Sequence, residues 1–169
     1  IKGNININVD LELFIEKWTE RWEEINSPID WLAELHKVSK ITSRDEYSDL
    51  KVSPYQLFKV MSKTCEGKLI QFVSDVGNHQ MWAAHIIDLD INQQLHNSAG
   101  LGSMGFALPT AIGIHYSTKL PIVVISGDGG AQLNIQELDV VAREYLPIFI
   151  IVLNNRSLGM VREFQEIYF

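Results

Sequence analysis

Apolar residues along this chain follow two alternating patterns. Short unbroken runs occur at Leu69–Ser74, Ile122–Ile125 and Ile148–Leu153, each followed by glycine, Asn or Asp, and a briefer extended piece spans 94–97. Between them, apolar positions recur at helical spacing. This predicts helices at 53–65, 78–89, 106–117 and 132–144, and from about Gly159 onward. Ser53-Pro54 is a good helix start, because proline at the first helical position gives up an N–H that would have no partner. Upstream, NININ at 4–8 alternates like an edge strand. A helix is expected from an Asp10 cap to about Asn26, with Leu11, Phe14, Ile15, Trp18, Trp22 and Ile25 near one face, and another from Pro28 to about Lys40. The polar stretch 42–51 reads as a linker. Strands alternating with helices predict an α/β fold, a parallel sheet flanked by helices on both faces.

In such folds ligands sit beyond the carboxyl ends of the strands. The segments 75–82, 100–105, 127–130 and 154–160 all fall at such ends, and they hold the chain's chemistry. Gly127-Asp128-Gly129-Gly130 closes one apolar run, and Asn154-Asn155 closes the next. Glycines let backbone N–H groups approach phosphate oxygens. An Asp and an Asn at neighbouring strand ends offer hard oxygen ligands suited to Mg²⁺.

Other chemistries find less support. Gly100-x-Gly102-x-x-Gly105 matches the dinucleotide fingerprint, but the strand before it is short and polar, and no acidic residue ends a second strand at the expected distance. The five histidines have no acidic or Cys partners at ligand spacing, which argues against zinc; only His79 lies in a candidate loop, where the alternative is a capping or packing role. No G-x-S-x-G elbow occurs. The four Trp include three at helical spacing, which fits packing better than a binding site.

At 169 residues, with 46% hydrophobic and 21% charged residues, the chain is long enough for one good core. A net charge of −7 argues against nucleic acid as a main partner. No apolar run has the length of a membrane span, and no signal peptide is visible at the start. The single Cys65 fits a structural thiol in a reducing, cytoplasmic setting. The chain begins at Ile1 and stops at Phe169 within a helix-like stretch, so it is expected to be a piece of a longer protein. Residues 1–51 would be the end of a preceding domain with a helical linker, and 52–169 a domain truncated at its C-terminus.

Gly127 to Asn155 resembles the thiamin diphosphate (ThDP) signature: Gly-Asp-Gly, a spacer of a few tens of residues, then Asn-Asn. VGNHQMWAAH (76–85) resembles the VGQHQMWAAQ segment of acetolactate (acetohydroxyacid) synthase catalytic subunits, and GLGSMGFALPTAIGI (100–114) resembles their GLGxMGFGLPAAIGA segment. NIQEL (134–138) and LNNRSLGMVREFQ (153–165) continue in register. The likeness covers about residues 53–169; the first fifty or so are only loosely similar.

The resemblance implies the diphosphate-binding domain of a ThDP enzyme. Asp128, the Asn155 side chain and Ser157, through its backbone carbonyl, would hold Mg²⁺. Gly127 lies in the same signature. Amides near Gly129, Gly130 and Ala131, at the start of the helix expected at 132–144, would meet the diphosphate, and Val76, Gly77, Asn78 and His79 would reach it from the other side. Gly159 and Met160 continue the site. Met104 matches the apolar residue that bends the cofactor between its two rings, and the Gly102 carbonyl would accept from the cofactor's amine. The implied reaction is decarboxylation of a 2-oxo acid, typically pyruvate, and ligation to a second carbonyl compound. Alternatives are a related decarboxylase or carboligase with another acceptor, such as a keto-sugar nucleotide, and a non-catalytic cofactor-binding module.

Two departures bear on this. Asn78 stands where the family commonly has Gln, and Arg162-Glu163-Phe164-Gln165 where it has RQWQ. The Trp of that segment shapes the acceptor pocket, so Phe164 puts the second substrate in question. The family also activates ThDP with a glutamate from another domain of a partner subunit, and no segment here resembles that domain. The resemblance therefore implies a dimer or higher assembly sharing its site, with a regulatory subunit and FAD, held by other domains, as further possibilities.

Overall fold

The structure, a computed structural model, describes residues 10–20 and 53–169. The strand expected at 4–8, the first helix beyond Glu20, the helix expected from Pro28 and the linker at 42–51 lie outside the described residues. The chain divides into two units, Ile1–Arg44 and Asp45–Phe169.

In the first unit, helix α1 spans Leu11–Glu20. Asp10 caps it, its Oδ1 accepting from the Glu12 N–H at 2.9 Å. Phe14 and Trp18, one turn apart, bring their rings to 5.6 Å.

In the second unit, α2 (Pro54–Cys65) starts at the Ser53 cap. β1 (Gln71–Ser74), α3 (Asn78–Ile86), β2 (Leu95–Asn97), α4 (Ala107–Thr118), β3 (Ile122–Gly127), α5 (Asp128–Leu133), a 3-10 turn (Ile135–Glu137), α6 (Leu138–Arg143), β4 (Ile148–Leu153) and α7 (Gly159–Tyr168) follow. The four strands form one parallel sheet in the order β2-β1-β3-β4. Alternate side chains go to opposite faces. Phe72, Val123 and Ile125 pack with Phe58, Met61, Cys65, Ala83 and Ile86 of α2 and α3. Val73, Ile122 and Val124 pack with Ala107 and Ala111 of α4 on the other face. The helices thus cover both faces, as the alternating pattern predicts, and burial of both faces explains the continuous apolar run of β3; β4, at the sheet edge, is only partly covered and leaves Phe149 and Val152 exposed.

One element differs from the sequence expectation. Instead of a helix over 132–144, α5 begins directly at Asp128 and the helical path breaks at Asn134, whose φ of −129° and ψ of 35° are not helical. Asn134 turns its amide to the Gly105 carbonyl, 2.6 Å away. A side chain committed to a distant loop thus displaces helical continuity. The helix expected at 78–89 also ends earlier, at Ile86. No described helix is long and apolar enough to cross a membrane.

Candidate cofactor site at the switch point of the sheet

The connection from β1 leads to β2 on one side of the sheet, and that from β3 leads to β4 on the other. The loops leaving β1 and β3 therefore diverge and open a crevice, the usual ligand position in open α/β sheets. A cavity of about 290 Å³ lies there. Val76, Gly77, Asn78 and His79 line it from the β1 side. Gly127, Asp128, Gly129 and Gly130 line it from the β3 side. Gly102 and Met104 come from the glycine loop, and Asn155, Ser157, Gly159 and Met160 from the segment after β4.

Two sequence candidates stand apart. Ala131 lines a smaller cavity of about 130 Å³ instead, with Asn134 and Ile135. Phe164 is not among the lining residues; it is half exposed and packs on Tyr168, ring to ring at 4.6 Å. Conversely, Trp82, Leu153, Leu158 and Val161 line the cavity without having stood out in the sequence. Trp82 lies one turn beyond Asn78 on α3, so helical spacing was the available signal.

The turn after β4 is built by its own side chains. Asn154 Oδ1 accepts from the Arg156 N–H at 3.0 Å, and Asn155 Oδ1 from the Ser157 N–H at 3.1 Å. Arg156 adopts a left-handed φ of 55°. Asn155 keeps a second lone pair on Oδ1 for another partner. Asn78 Nδ2 donates to Glu163 Oε1 at 3.0 Å, which ties α3 to α7. The two positions at which this chain departs from the family pattern near the site, Asn78 and the Glu163-Phe164 pair, are therefore linked in space.

Several groups have no partner among the described residues. The Asp128 carboxylate makes no hydrogen bond or ion pair with any described residue, although it lines the cavity. α5 has no side-chain cap, so first-turn amides remain available. His79 is 5% exposed, and its buried Nε2 has no hydrogen-bond partner. Such an orphaned polar atom is costly unless a ligand meets it. A Cβ on Gly129 would meet Leu158 Cδ2 at 2.6 Å and Met104 Cε at 3.2 Å, so only glycine leaves room for these side chains beside α5. Among the described residues no three His, Cys, Asp or Glu side chains gather to hold a metal. One carboxylate with amide and carbonyl oxygens suits a hard ion such as Mg²⁺, whose shell a phosphate ligand and water would complete. The residues present fit an Mg²⁺-bound diphosphate.

Burial lowers the His79 pKa below its ordinary 6.5, against the opposing charge and backbone hydrogen bond of Asp75. The folded state thus resists a proton that the unfolded chain accepts. Stability is fully present above 6.5 and falls as pH drops below it, with a slope of at most about 1.4 kcal/mol per pH unit. We expect the unfolding midpoint in urea to fall between pH 7.5 and 5.5 by more in the wild type than in His79→Gln. Equal falls would show that His79 does not resist protonation.

The family model described as "Thiamine pyrophosphate enzyme, C-terminal TPP binding domain" matches residues 75–169. The chain is 35% identical to the acetolactate synthase large subunit of Buchnera aphidicola subsp. Acyrthosiphon pisum, over 100% of this chain and 30% of that protein. It is 36% identical to the isozyme 3 large subunit of Escherichia coli K12, over 100% of this chain and 31% of that protein. It is 47% identical to the isozyme 2 large subunit of the same strain, over 57% of this chain and 18% of that protein. The chain spans about a third or less of the length of these relatives. With its parallel α/β sheet and the matched segment running from the end of β1 through α7, the chain belongs to the thiamine pyrophosphate enzyme family, as a C-terminal TPP-binding domain.

Proposed function

We propose that this chain supplies the diphosphate and Mg²⁺ half of the active site of an acetolactate synthase-like enzyme, which decarboxylates pyruvate or another 2-oxo acid and joins the product to a second carbonyl compound. The observation that carries this reading is the crevice between β1 and β3, where uncommitted Asp128, orphaned His79 Nε2 and open first-turn amides of α5 face one cavity. Residues 52–169 would form the cofactor domain, and residues 1–51 the end of a preceding domain and a linker.

Asp128, Asn155 and Ser157 would hold Mg²⁺. Gly129 and Gly130 would present amides to the diphosphate, with Ala131 behind them, and Asn78 and His79 would donate from the α3 side. His79, kept neutral by burial, has one ring N–H; carried on the orphaned Nε2, it would go to the diphosphate instead of the Asp75 backbone. The bound cofactor would supply the electron sink for breaking the carboxylate bond and forming the new carbon–carbon bond. Met104 would set the cofactor's bend, the Gly102 carbonyl would orient its amine, and Trp82 and Leu158 would exclude water. A dimer sharing the site, a regulatory small subunit and FAD held elsewhere complete the proposal, in the cytoplasm, which the lone buried Cys65 suits.

A second reading, a related enzyme with another acceptor, rests on one feature: the Glu163 carboxylate bonded to Asn78 places negative charge beside the cavity, where it would oppose a carboxylate-bearing acceptor. Product analysis of the full-length protein with ThDP, Mg²⁺ and pyruvate distinguishes these readings. We expect acetolactate and CO₂ in equal amounts. CO₂ with acetaldehyde would point to a decarboxylase, and no CO₂ with pyruvate or any other 2-oxo acid would defeat the enzymatic reading.

A further inference from the structure

Asp75, at the end of β1, is 1% exposed yet carries a carboxylate with no described ion-pair partner. Three backbone N–H groups meet it. Oδ1 accepts from Val76 at 2.8 Å and from Gly105 at 2.9 Å, and Oδ2 accepts from Ala107 at 3.0 Å. Burying a charge is costly, and charge-assisted hydrogen bonds to several amides offset that cost. An acceptor-only group is required. With asparagine, one orientation would turn its amide N–H groups against the Ala107 N–H, and the other against those of Val76 and Gly105.

The Gly105 N–H belongs to the peptide group that joins Met104 to Gly105. The next peptide is held from the opposite element: the Gly105 carbonyl accepts from Asn134 Nδ2 at 2.6 Å. Gly105 has a φ of 81°, and a Cβ there would lie 2.9 Å from both Asn134 Nδ2 and Leu133 Cβ. The turn therefore fits against α5 only as glycine. The same carboxylate lies against α5, since a Cβ on Gly130 would be 2.6 Å from Asp75 Oδ1.

We propose that Asp75 and Asn134 are positioning residues that grip the two peptides flanking Gly105 and thereby fix Met104 against Gly129 at the cavity. The break in the helical path at Asn134 has a use in this arrangement: the non-helical backbone aims the amide at the loop. The inference rests on the reading that Met104 works on the bound cofactor, but the grip itself concerns this chain alone and can be tested without cofactor.

The test uses the full-length protein labelled with ¹³C at methionine methyls, as wild type, Asp75→Asn, Asn134→Ala and Ser62→Ala. Ser62 serves as a control for stability: its buried hydroxyl bonds the Phe58 carbonyl on α2, away from the loop. In apoprotein we expect the Met104 methyl to lose its nuclear Overhauser contact with Gly129 in the first two variants and to keep it in Ser62→Ala. With cofactor saturating, we expect kcat to fall by about tenfold or more in those two while ThDP affinity changes by less than about threefold. Asn134 is partly exposed, so Asn134→Ala decides the matter if Asp75→Asn does not fold. A Met104–Gly129 contact kept in the folded variants overturns the grip. A lost contact with unchanged kcat upholds the grip and overturns the catalytic work assigned to Met104.

Discussion

Asp128→Ala abolishes Mg²⁺-dependent ThDP binding in the full-length protein. Asp128 is the only acidic side chain lining this cavity among the described residues, and its carboxylate has no hydrogen bond or ion pair with any of them to give up. Its removal therefore acts on the ligand rather than on the fold. The diphosphate would bring several negative charges to a chain of net charge −7, and the metal would be the largest local countercharge. Asn155 and Ser157 would contribute neutral oxygens, which could not replace the lost charge. Loss of a hydrogen-bond partner behind a metal ligand typically costs about 10–100-fold in affinity, and removal of the carboxylate ligand itself should exceed that. Calorimetric titration of ThDP with Mg²⁺ checks the prediction, with circular dichroism and the urea midpoint confirming an intact fold. Cofactor affinity within about threefold of the wild type would place the metal elsewhere, since that is far below the loss expected for a ligand.

The elements that shape the site were largely legible. Ile122–Ile125 announces a buried parallel strand, because a sheet covered on both faces permits no polar alternation; Ile148–Leu153 is a parallel strand too, but at the sheet edge it leaves Phe149 and Val152 exposed. The glycines and the Asp, Asn and His residues at strand ends mark the crevice for the same reason: no core requirement explains them there. Contacts made across long stretches of chain were not legible. The apolar pattern marks Asp75 only as a strand end, since its partners Gly105 and Ala107 lie 30 and 32 residues away. Asn134 sits inside a helical pattern, and its break arises from a bond to Gly105, 29 residues earlier. Spacing also cannot fix where a surface aromatic points. Phe164 follows the site motifs in register, yet it stacks on Tyr168 along α7.

Residues 1–169 by themselves should fold and bind ThDP with Mg²⁺ but release almost no CO₂ from pyruvate. The ligands proposed for the metal and diphosphate lie at the carboxyl ends of one sheet within this chain, so binding should need no second domain. Catalysis needs more. The family resemblance places an activating glutamate against the cofactor's pyrimidine ring, and no Glu of this chain lines the cavity among the described residues. Asp128 would not serve, because a carboxylate holding Mg²⁺ as proposed would be a poor partner for that ring. The flanking surface points the same way. Leu133, Ile135 and Leu138 on and after α5 are 56%, 55% and 41% exposed, and Met160, Val161 and Ile167 on α7 are exposed as well. Apolar residues gathered near a binding crevice are typical of a surface that another subunit or domain covers. The isolated chain should therefore also self-associate as its concentration rises. The check is CO₂ release from pyruvate by the purified chain and by the full-length protein at equal cofactor occupancy, with sedimentation velocity on the same samples. Turnover by the chain close to that of the full-length protein would mean that an activating acid lies within these residues, and the shared-site reading would fall.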